Sequence, residues 1–183
     1  MTELEAARKA AMRRFGVYVG RLSPMHLGHQ AQIDGLLRDF GDDHLVLIGS
    51  CNKAISFRHL FSYQDRAAIV HAVYPGLRLG PLADFEDDPC WFRALDDILQ
   101  LAGINPAAAT FVGGCQEDIS FFIDAGREVK ILNRFGGETP KVSATEVRDA
   151  LIERRSIDGM VDPRVHDLIR TTFDKRWAAL RKL

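Results

Sequence analysis

Two histidines and an arginine stand close together in the segment Gly20-Arg21-Leu22-Ser23-Pro24-Met25-His26-Leu27-Gly28-His29. The histidines are three residues apart, so on a helix they share one face. The first turn of a helix presents unpaired backbone N–H groups and the positive end of its dipole, which favour an anion. Arg21 adds a permanent cation, and Gly28 leaves room for close approach. This combination suits a polyphosphate, although two imidazoles can also bind zinc.

A second segment with similar chemistry is Ser143-Ala144-Thr145-Glu146-Val147-Arg148. Ser143 can cap a helix, and Arg148 falls about one turn inside that helix, so both can face a phosphate at its N-terminus. Taken by itself, the segment is more typical of an ordinary capping box that pairs Ser143 with Glu146.

The rest of the chain alternates short apolar runs with longer helical patterns, which predicts a parallel sheet covered by helices on both faces. The predicted strands cover residues 15–19, 44–48, 77–82, 110–112 and 128–132. The predicted helices cover 27–40, 63–73 with Ser62 as N-cap, 90–101, 116–124, a segment from about 143, and an amphipathic stretch from 163. Three strands end in Gly20-Arg21, Gly49-Ser50 and Gly113-Gly114. Ligands of such sheets bind at the carboxyl ends of the strands, where the strand order reverses.

Length and composition limit the class of protein. The chain has 183 residues and a formal net charge of −1, which favours one domain and argues against a general nucleic-acid binder. Its three cysteines have no CxxC spacing, which fits a reducing compartment better than a disulfide framework or a zinc site. Neither a secretory signal nor a membrane span is predicted. We therefore expect a cytoplasmic protein with no nucleic-acid or membrane partner.

The two chemical segments together resemble the HxGH and ISSTxIR signatures of the nucleotidyltransferase superfamily, the first in its GRFQPFHxGH form. Within that superfamily the chain resembles nicotinamide-mononucleotide (NMN) adenylyltransferases, in particular the adenylyltransferase half of bifunctional enzymes that also carry a Nudix domain. Residues 50–66, 84–91 and 113–122 are similar to further stretches of that family. The resemblance covers roughly residues 15–155 and implies a Rossmann-like, doubly wound α/β fold of about five parallel strands.

The resemblance implies a single nucleotidyltransferase domain over residues 1–183, with 1–14 as an N-terminal lead and 156–183 as a C-terminal helical segment. It implies transfer of AMP from ATP to NMN, forming NAD and pyrophosphate, in a homo-oligomer. Mg²⁺ would be held mainly by the substrate phosphates, with no metal ligands from the protein. The implied catalytic residues are His26, His29 and Arg148. The implied ATP-binding residues are Gly20, Arg21, His26, Gly28, His29, Gly113, Ser143, Thr145 and Arg148. The implied NMN-binding residues are Ser50, Lys53, Arg58, Arg66, Asp84 and Trp91.

The chain departs from the family pattern at several positions. His59-Leu60 replaces an Asn-Pro pair, Gln116-Glu117 replaces Lys-Asp, Ser23 and Met25 replace Gln and Phe, and no Nudix box is found. These changes keep other functions open: transfer to nicotinate mononucleotide, phosphopantetheine or another phosphate, or nucleotide sensing without turnover.

Several single residues also keep two interpretations. Trp91 is as typical of a core position at a helix start as of a nicotinamide contact, and Arg66 is as typical of a surface helix as of a phosphate site. Asn133 and Arg134 could touch the nucleotide. Trp177 and its apolar stripe are more typical of core or subunit packing than of a ligand site.

Overall fold

The computed structural model describes residues 14–132 and 141–182. Its strands are β1 (Phe15–Gly20), β2 (His44–Ile48), β3 (Leu79–Pro81), β4 (Ala109–Gly113) and β5 (Glu128–Ile131). Its helices are α1 (Leu27–Phe40), α2 (Tyr63–Val73), α3 (Asp88–Leu101), α4 (Gln116–Asp124), α5 (Ala144–Ile152) and α6 (His166–Leu180). Short 3₁₀ turns at Pro106–Ala108 and Pro163–Val165 precede β4 and α6. The predicted N-terminal lead, apart from Arg14, and the predicted nucleotide contacts Asn133 and Arg134 lie outside the described residues.

The five strands form one parallel sheet in the order β3-β2-β1-β4-β5. This confirms the predicted doubly wound fold, and the strand order reverses between β1 and β4. Gly20 at the end of β1 is level with Ile48 at the end of β2, and Gly113 at the end of β4 is level with Ile131. The carboxyl ends of β1, β2 and β4 therefore meet at one edge of the sheet.

The third strand is shorter than predicted. Only Leu79–Pro81 pairs with β2, whereas the apolar pattern predicted residues 77–82. The strand lies at the edge of the sheet, where the proline that ends it removes one backbone N–H without breaking a ladder on its open side.

The two faces of the sheet pack against different helices. On one face, Ile33 of α1, Ile69 of α2 and Phe173 of α6 share a core with residues of β1 and β2. On the other, Leu95 of α3 and Phe122 of α4 pack around the central strands. Trp177 of α6 packs against the first core and is only partly buried. In the part of the chain that the structure describes, no helix is both long and apolar enough to cross a membrane.

Candidate active site

The start of α1 is capped by the two histidines of the first chemical segment. His26 is the N-cap residue, and its ring Nδ1 accepts a hydrogen bond from the Gly28 backbone N–H at 3.1 Å. In return, the His29 ring Nδ1 accepts one from the His26 backbone N–H at 3.3 Å. Two imidazoles thus take the places that a serine and a glutamate hold in an ordinary capping box. The reciprocal bonds hold the ring centroids 3.7 Å apart.

The capping bonds also determine which ring nitrogens carry protons. A neutral imidazole whose Nδ1 accepts a hydrogen bond has its proton on Nε2, which is then a donor. Desolvation lowers the pKa of His29 well below its ordinary value, and the charges of His26 and Arg21 lower that pKa further. At neutral pH His29 is therefore a neutral hydrogen-bond donor.

The beginning of α5 is joined to the loop that follows β1. The Ser143 hydroxyl accepts from the Glu146 N–H at 3.2 Å, and the Glu146 carboxylate accepts from the Ser143 N–H at 2.6 Å, so the capping box is present. Arg148 donates to the Ser23 carbonyl oxygen at 2.7 Å and to the Thr145 hydroxyl at 3.0 Å. The second chemical segment is thus both a capping box and part of one site with the first segment.

A cavity of about 800 Å³ lies between these two helix starts. Its lining includes the cations Arg21, Arg58, Lys141 and Arg148, together with His26, His29 and His59. Such a concentration of cations and N–H donors at two helix N-termini favours a polyphosphate. Among the described residues, no group of three or more histidine, cysteine, aspartate or glutamate side chains is placed to hold a metal ion.

A second cavity, of about 470 Å³, lies beside the ends of β1 and β2. Gly49, Ser50, Asp84 and Trp91 line it, and it shares Tyr18, Arg21, His29 and Asp118 with the first cavity. The Asp84 carboxylate accepts from the Ser50 hydroxyl at 3.1 Å and lies 3.7 Å from the Lys53 ammonium. Two adjoining compartments that share a wall can hold two ligands in contact.

Trp91 is placed by an aromatic cluster at the start of α3. Its ring packs edge-on against Phe92, with centroids 5.2 Å apart, and against Phe121, with centroids 5.3 Å apart. The same tryptophan lines the second cavity. The sequence left two alternatives for Trp91, packing at a helix start and facing a ligand. The structure shows that the same ring packs against phenylalanines and lines a cavity.

The structure corrects the predicted role of Arg66. Its side chain is buried, with 4% exposed, and lines neither of the two cavities. The guanidinium donates to the Arg21 and Gly49 carbonyl oxygens at 2.7 Å each, to Ser50 O at 3.1 Å and to Ser62 O at 3.2 Å. Because these carbonyls engage four of its five N–H groups, Arg66 is neither a surface residue nor placed to bind the NMN phosphate.

The other predicted site residues are divided between the cavities. Of the predicted ATP-binding residues, the first cavity contains Arg21, His26, Gly28, His29, Ser143, Thr145 and Arg148. Gly20 lines the second cavity, whereas Gly113 lines neither and packs closely against Ile119. Of the predicted NMN-binding residues, the second cavity contains Ser50, Asp84 and Trp91. Arg58 lines the first cavity instead, and Lys53 lines neither.

Some residues of the site were missed by the sequence argument. Asp118 lines both cavities, and its carboxylate accepts from the Gly114 N–H at 3.0 Å at the start of α4. Tyr18, in the middle of β1, lines both as well, and burial followed by the charge of Asp118 raises its pKa. A polar-tipped residue inside an otherwise apolar strand was the available signal for Tyr18. An acidic residue soon after Gly113-Gly114 was the signal for Asp118.

Comparison with known proteins gives a family and a fold. The sequence profile of the cytidylyltransferase-like family matches residues 17–150. A nicotinamide-nucleotide adenylyltransferase of Methanocorpusculum labreanum is 37% identical over 84 residues, which is 44% of this chain and 49% of the relative. One of Methanothrix thermoacetophila is 25% identical over 146 residues, covering 78% of this chain and 80% of the relative.

Among solved structures, the chain is similar to a bifunctional NMN adenylyltransferase/ADP ribose pyrophosphatase of Francisella tularensis, complexed with AMP and a manganese ion. The TM-score is 0.70 at 20% identity, with 92% of this chain and 52% of that chain covered. The chain thus spans about half the length of this protein and of the Methanocorpusculum relative. At this identity the likeness shows the fold alone.

Proposed function

The chain belongs to the cytidylyltransferase-like family, and from that premise we propose that it transfers AMP from ATP to NMN, forming NAD and pyrophosphate. The observation that carries the proposal is the pair of adjoining cavities. One is lined by the two histidines and a group of cations, and the other by Trp91 and Asp84. The relatives named nicotinamide-nucleotide adenylyltransferase support the choice of acceptor.

The reaction needs little acid–base chemistry from the protein. The NMN phosphate is already an anion at neutral pH, so it can attack the α-phosphate of ATP directly while pyrophosphate leaves. Catalysis then consists of positioning and of stabilising charge on the phosphate oxygens. His26 and His29 donate from Nε2 to those oxygens, while Arg21 and Arg148 hold the triphosphate. Mg²⁺ enters as part of the substrate, bound to the ATP phosphates and several waters.

The second cavity suits the nicotinamide end of NMN. A cationic pyridinium ring over the Trp91 indole gains about 0.5–2 kcal/mol from the cation–π interaction. Asp84 supplies a negative charge in the same cavity, held in place by Ser50. The shared wall formed by Arg21 and His29 is where the acceptor phosphate would meet the α-phosphate of ATP.

We place the reaction in the cytoplasm and propose a homo-oligomer. The three thiols Cys51, Cys90 and Cys115 are unpaired, which supports a reducing compartment. Sedimentation of the purified chain would measure its oligomeric state directly.

A coupled assay tests the proposed reaction. The protein is mixed with ATP, Mg²⁺ and NMN, NAD is followed through alcohol dehydrogenase, and pyrophosphate is measured in parallel. We expect equal amounts of both products, and neither from a His26→Ala/His29→Ala double variant. If pyrophosphate is released only with nicotinate mononucleotide or phosphopantetheine, that compound is the acceptor and NMN is not. ATP binding without turnover would favour a nucleotide sensor.

A further inference from the structure

A tight turn between β2 and α2 brings two side chains to the first cavity. The Ser56 and His59 backbones exchange hydrogen bonds of 3.2 and 3.0 Å, and the Ser56 hydroxyl also accepts from the His59 N–H at 3.2 Å. Arg58 and His59, which belong to this turn, line the cavity. These internal bonds fix the shape of the turn but not its place on the molecule.

An aromatic contact joins the turn to the C-terminal helix α6. The Phe57 ring meets the Trp177 ring edge-on, with centroids 5.4 Å apart. Trp177 in turn stacks on Phe173 at 5.4 Å, and Phe173 is a core residue with 1% exposed. Phe57 itself remains 63% exposed. The contact therefore ties the turn to the core while burying little of Phe57.

The same helix also holds the chain just beyond the turn. The Arg176 guanidinium donates to the Asp65 carboxylate at 2.8 and 3.1 Å and to the Ser62 hydroxyl at 3.3 Å. Ser62 and Asp65 form the capping box that begins α2. Because α6 contacts both the turn and the start of the next helix, it fixes this whole connection relative to the cavity.

The contact between Phe57 and Trp177 opposes electrostatic repulsion between the arginines that line the first cavity. Arg58 lines the same cavity as Arg21 and Arg148. Burial lowers the pKa of Arg148, and so does the charge of Arg21; Asp149 opposes this shift, and Arg58 adds to it, which places Arg58 within electrostatic reach of Arg148. Before a polyanion binds, these like charges push the turn away from the cavity, and after binding they attract the ligand. A contact that holds the turn in place before the ligand arrives lowers the free-energy cost of ordering the turn when the ligand binds.

We propose that Phe57 and Trp177 are positioning residues, whose ring contact holds Arg58 over the first cavity so that its guanidinium can bind the phosphates of the nucleotide. The polyphosphate ligand rests on the proposed function, whereas the placing of the turn rests on the contacts alone.

A double-mutant cycle on MgATP affinity tests the coupling. We expect Phe57→Ala to weaken MgATP binding, measured by calorimetry, about 3- to 10-fold, the range that loss of one aromatic pair gives. In an Arg58→Ala background the same change is expected to have less than about a 2-fold effect. Trp177→Phe keeps a ring at the contact and should retain affinity. Leu101→Ala, at a residue 89% exposed and outside both cavities, is the matched control.

The rate of trypsin cleavage after Arg58 measures how firmly the turn is held in the absence of any ligand. We expect faster cleavage at this bond, identified by mass spectrometry, in Phe57→Ala than in the unaltered protein or in Leu101→Ala. Equal cleavage rates, or equal losses of affinity with and without Arg58, would overturn the proposal even if NAD is formed. If no NAD is formed but cleavage and MgATP affinity change as expected, only the proposed reaction fails.

Discussion

Replacement of Arg66 by lysine should destabilise the whole protein rather than weaken one substrate. The guanidinium makes four hydrogen bonds to backbone carbonyl oxygens, at 2.7 to 3.2 Å. A lysine ammonium is compact and could replace at most about two of these bonds. Each lost bond to a charged group contributes about 1.5–3 kcal/mol, so the expected loss is roughly 3–6 kcal/mol in the free energy of unfolding. For a chain of this size that lowers Tm by at least about 6 °C.

The position of these carbonyls explains why the site should change as well. Arg66 joins the end of β2, through Gly49 and Ser50, to the loop after β1, through Arg21. Ser50, with φ of 54°, and Leu22, with φ of 49°, adopt left-handed backbone conformations that non-glycine residues rarely take. Such conformations persist only where surrounding bonds hold them. Without the guanidinium both turns can relax, and both cavities should lose affinity together.

Urea unfolding followed by circular dichroism measures the loss, and Arg155→Lys provides the control. Arg155 pairs with Glu153 on the surface with about half of its side chain exposed, so its replacement should change the free energy of unfolding by less than about 1 kcal/mol. The reasoning is refuted if Arg66→Lys unfolds like the unaltered protein while the KM for the acceptor alone rises tenfold. That result would restore the acceptor-phosphate contact that the sequence predicted.

Three further predictions concern the site itself. His26→Ala should lower kcat by about 10²- to 10³-fold, the usual effect of removing one preorganised donor, and unchanged turnover would remove His26 from the mechanism. Trp91→Ala should raise the KM for NMN more than that for ATP, whereas equal rises would show that its packing against Phe92 is its main role. Desolvation lowers the pKa of His29 in the folded protein. Below about pH 6.5 His29 is therefore protonated in the unfolded chain while it stays neutral in the folded protein. As far as His29 is concerned, the free energy of unfolding should be constant above that pH. As the pH decreases further, the free energy of unfolding should decrease by up to about 1.4 kcal/mol per pH unit. His29→Asn should reduce this slope in urea unfolding between pH 5 and 8, and parallel slopes would contradict the assignment.

Most of the fold could be predicted because its signals are local. The runs at residues 15–19 and 44–48 contain consecutive apolar side chains, as strands buried on both faces require, and each ends at a glycine. The predicted helices 27–40 and 116–124 agree with α1 and α4 at both ends. Both ends of β3 were predicted wrongly, as 77–82 instead of Leu79–Pro81. Its pairing partner in β2 lies about 30 residues away, and apolar character alone does not show where a ladder starts or stops.

The site was predictable only where one segment carries its own chemistry. The two helix starts contain their capping residues and their cations within ten and six residues respectively. Spacing indicated a phosphate site for the first, whereas the second was assigned to the site only through the family resemblance of the two segments together. Arg66 could not be assigned in this way, because its partners at Arg21 and Gly49 lie 45 and 17 residues away. Nothing near residue 66 distinguishes a buried guanidinium from an exposed one. The ring contact between Phe57 and Trp177 could not be predicted from the sequence either, because these two residues are also far apart in the chain.

The overall charge of −1 conceals a strongly uneven distribution. The first cavity collects four arginine and lysine side chains, and of its two acidic residues Glu146 is engaged by the Ser143 N–H and Asp118 by the Gly114 N–H. A cationic cluster of this kind repels itself, so it must be held by contacts outside it. Arg148 is held by the Ser23 carbonyl, and the Arg58 turn is held by Trp177. These four cations line one cavity together with the helix starts, an arrangement that suits the polyphosphate of one nucleotide.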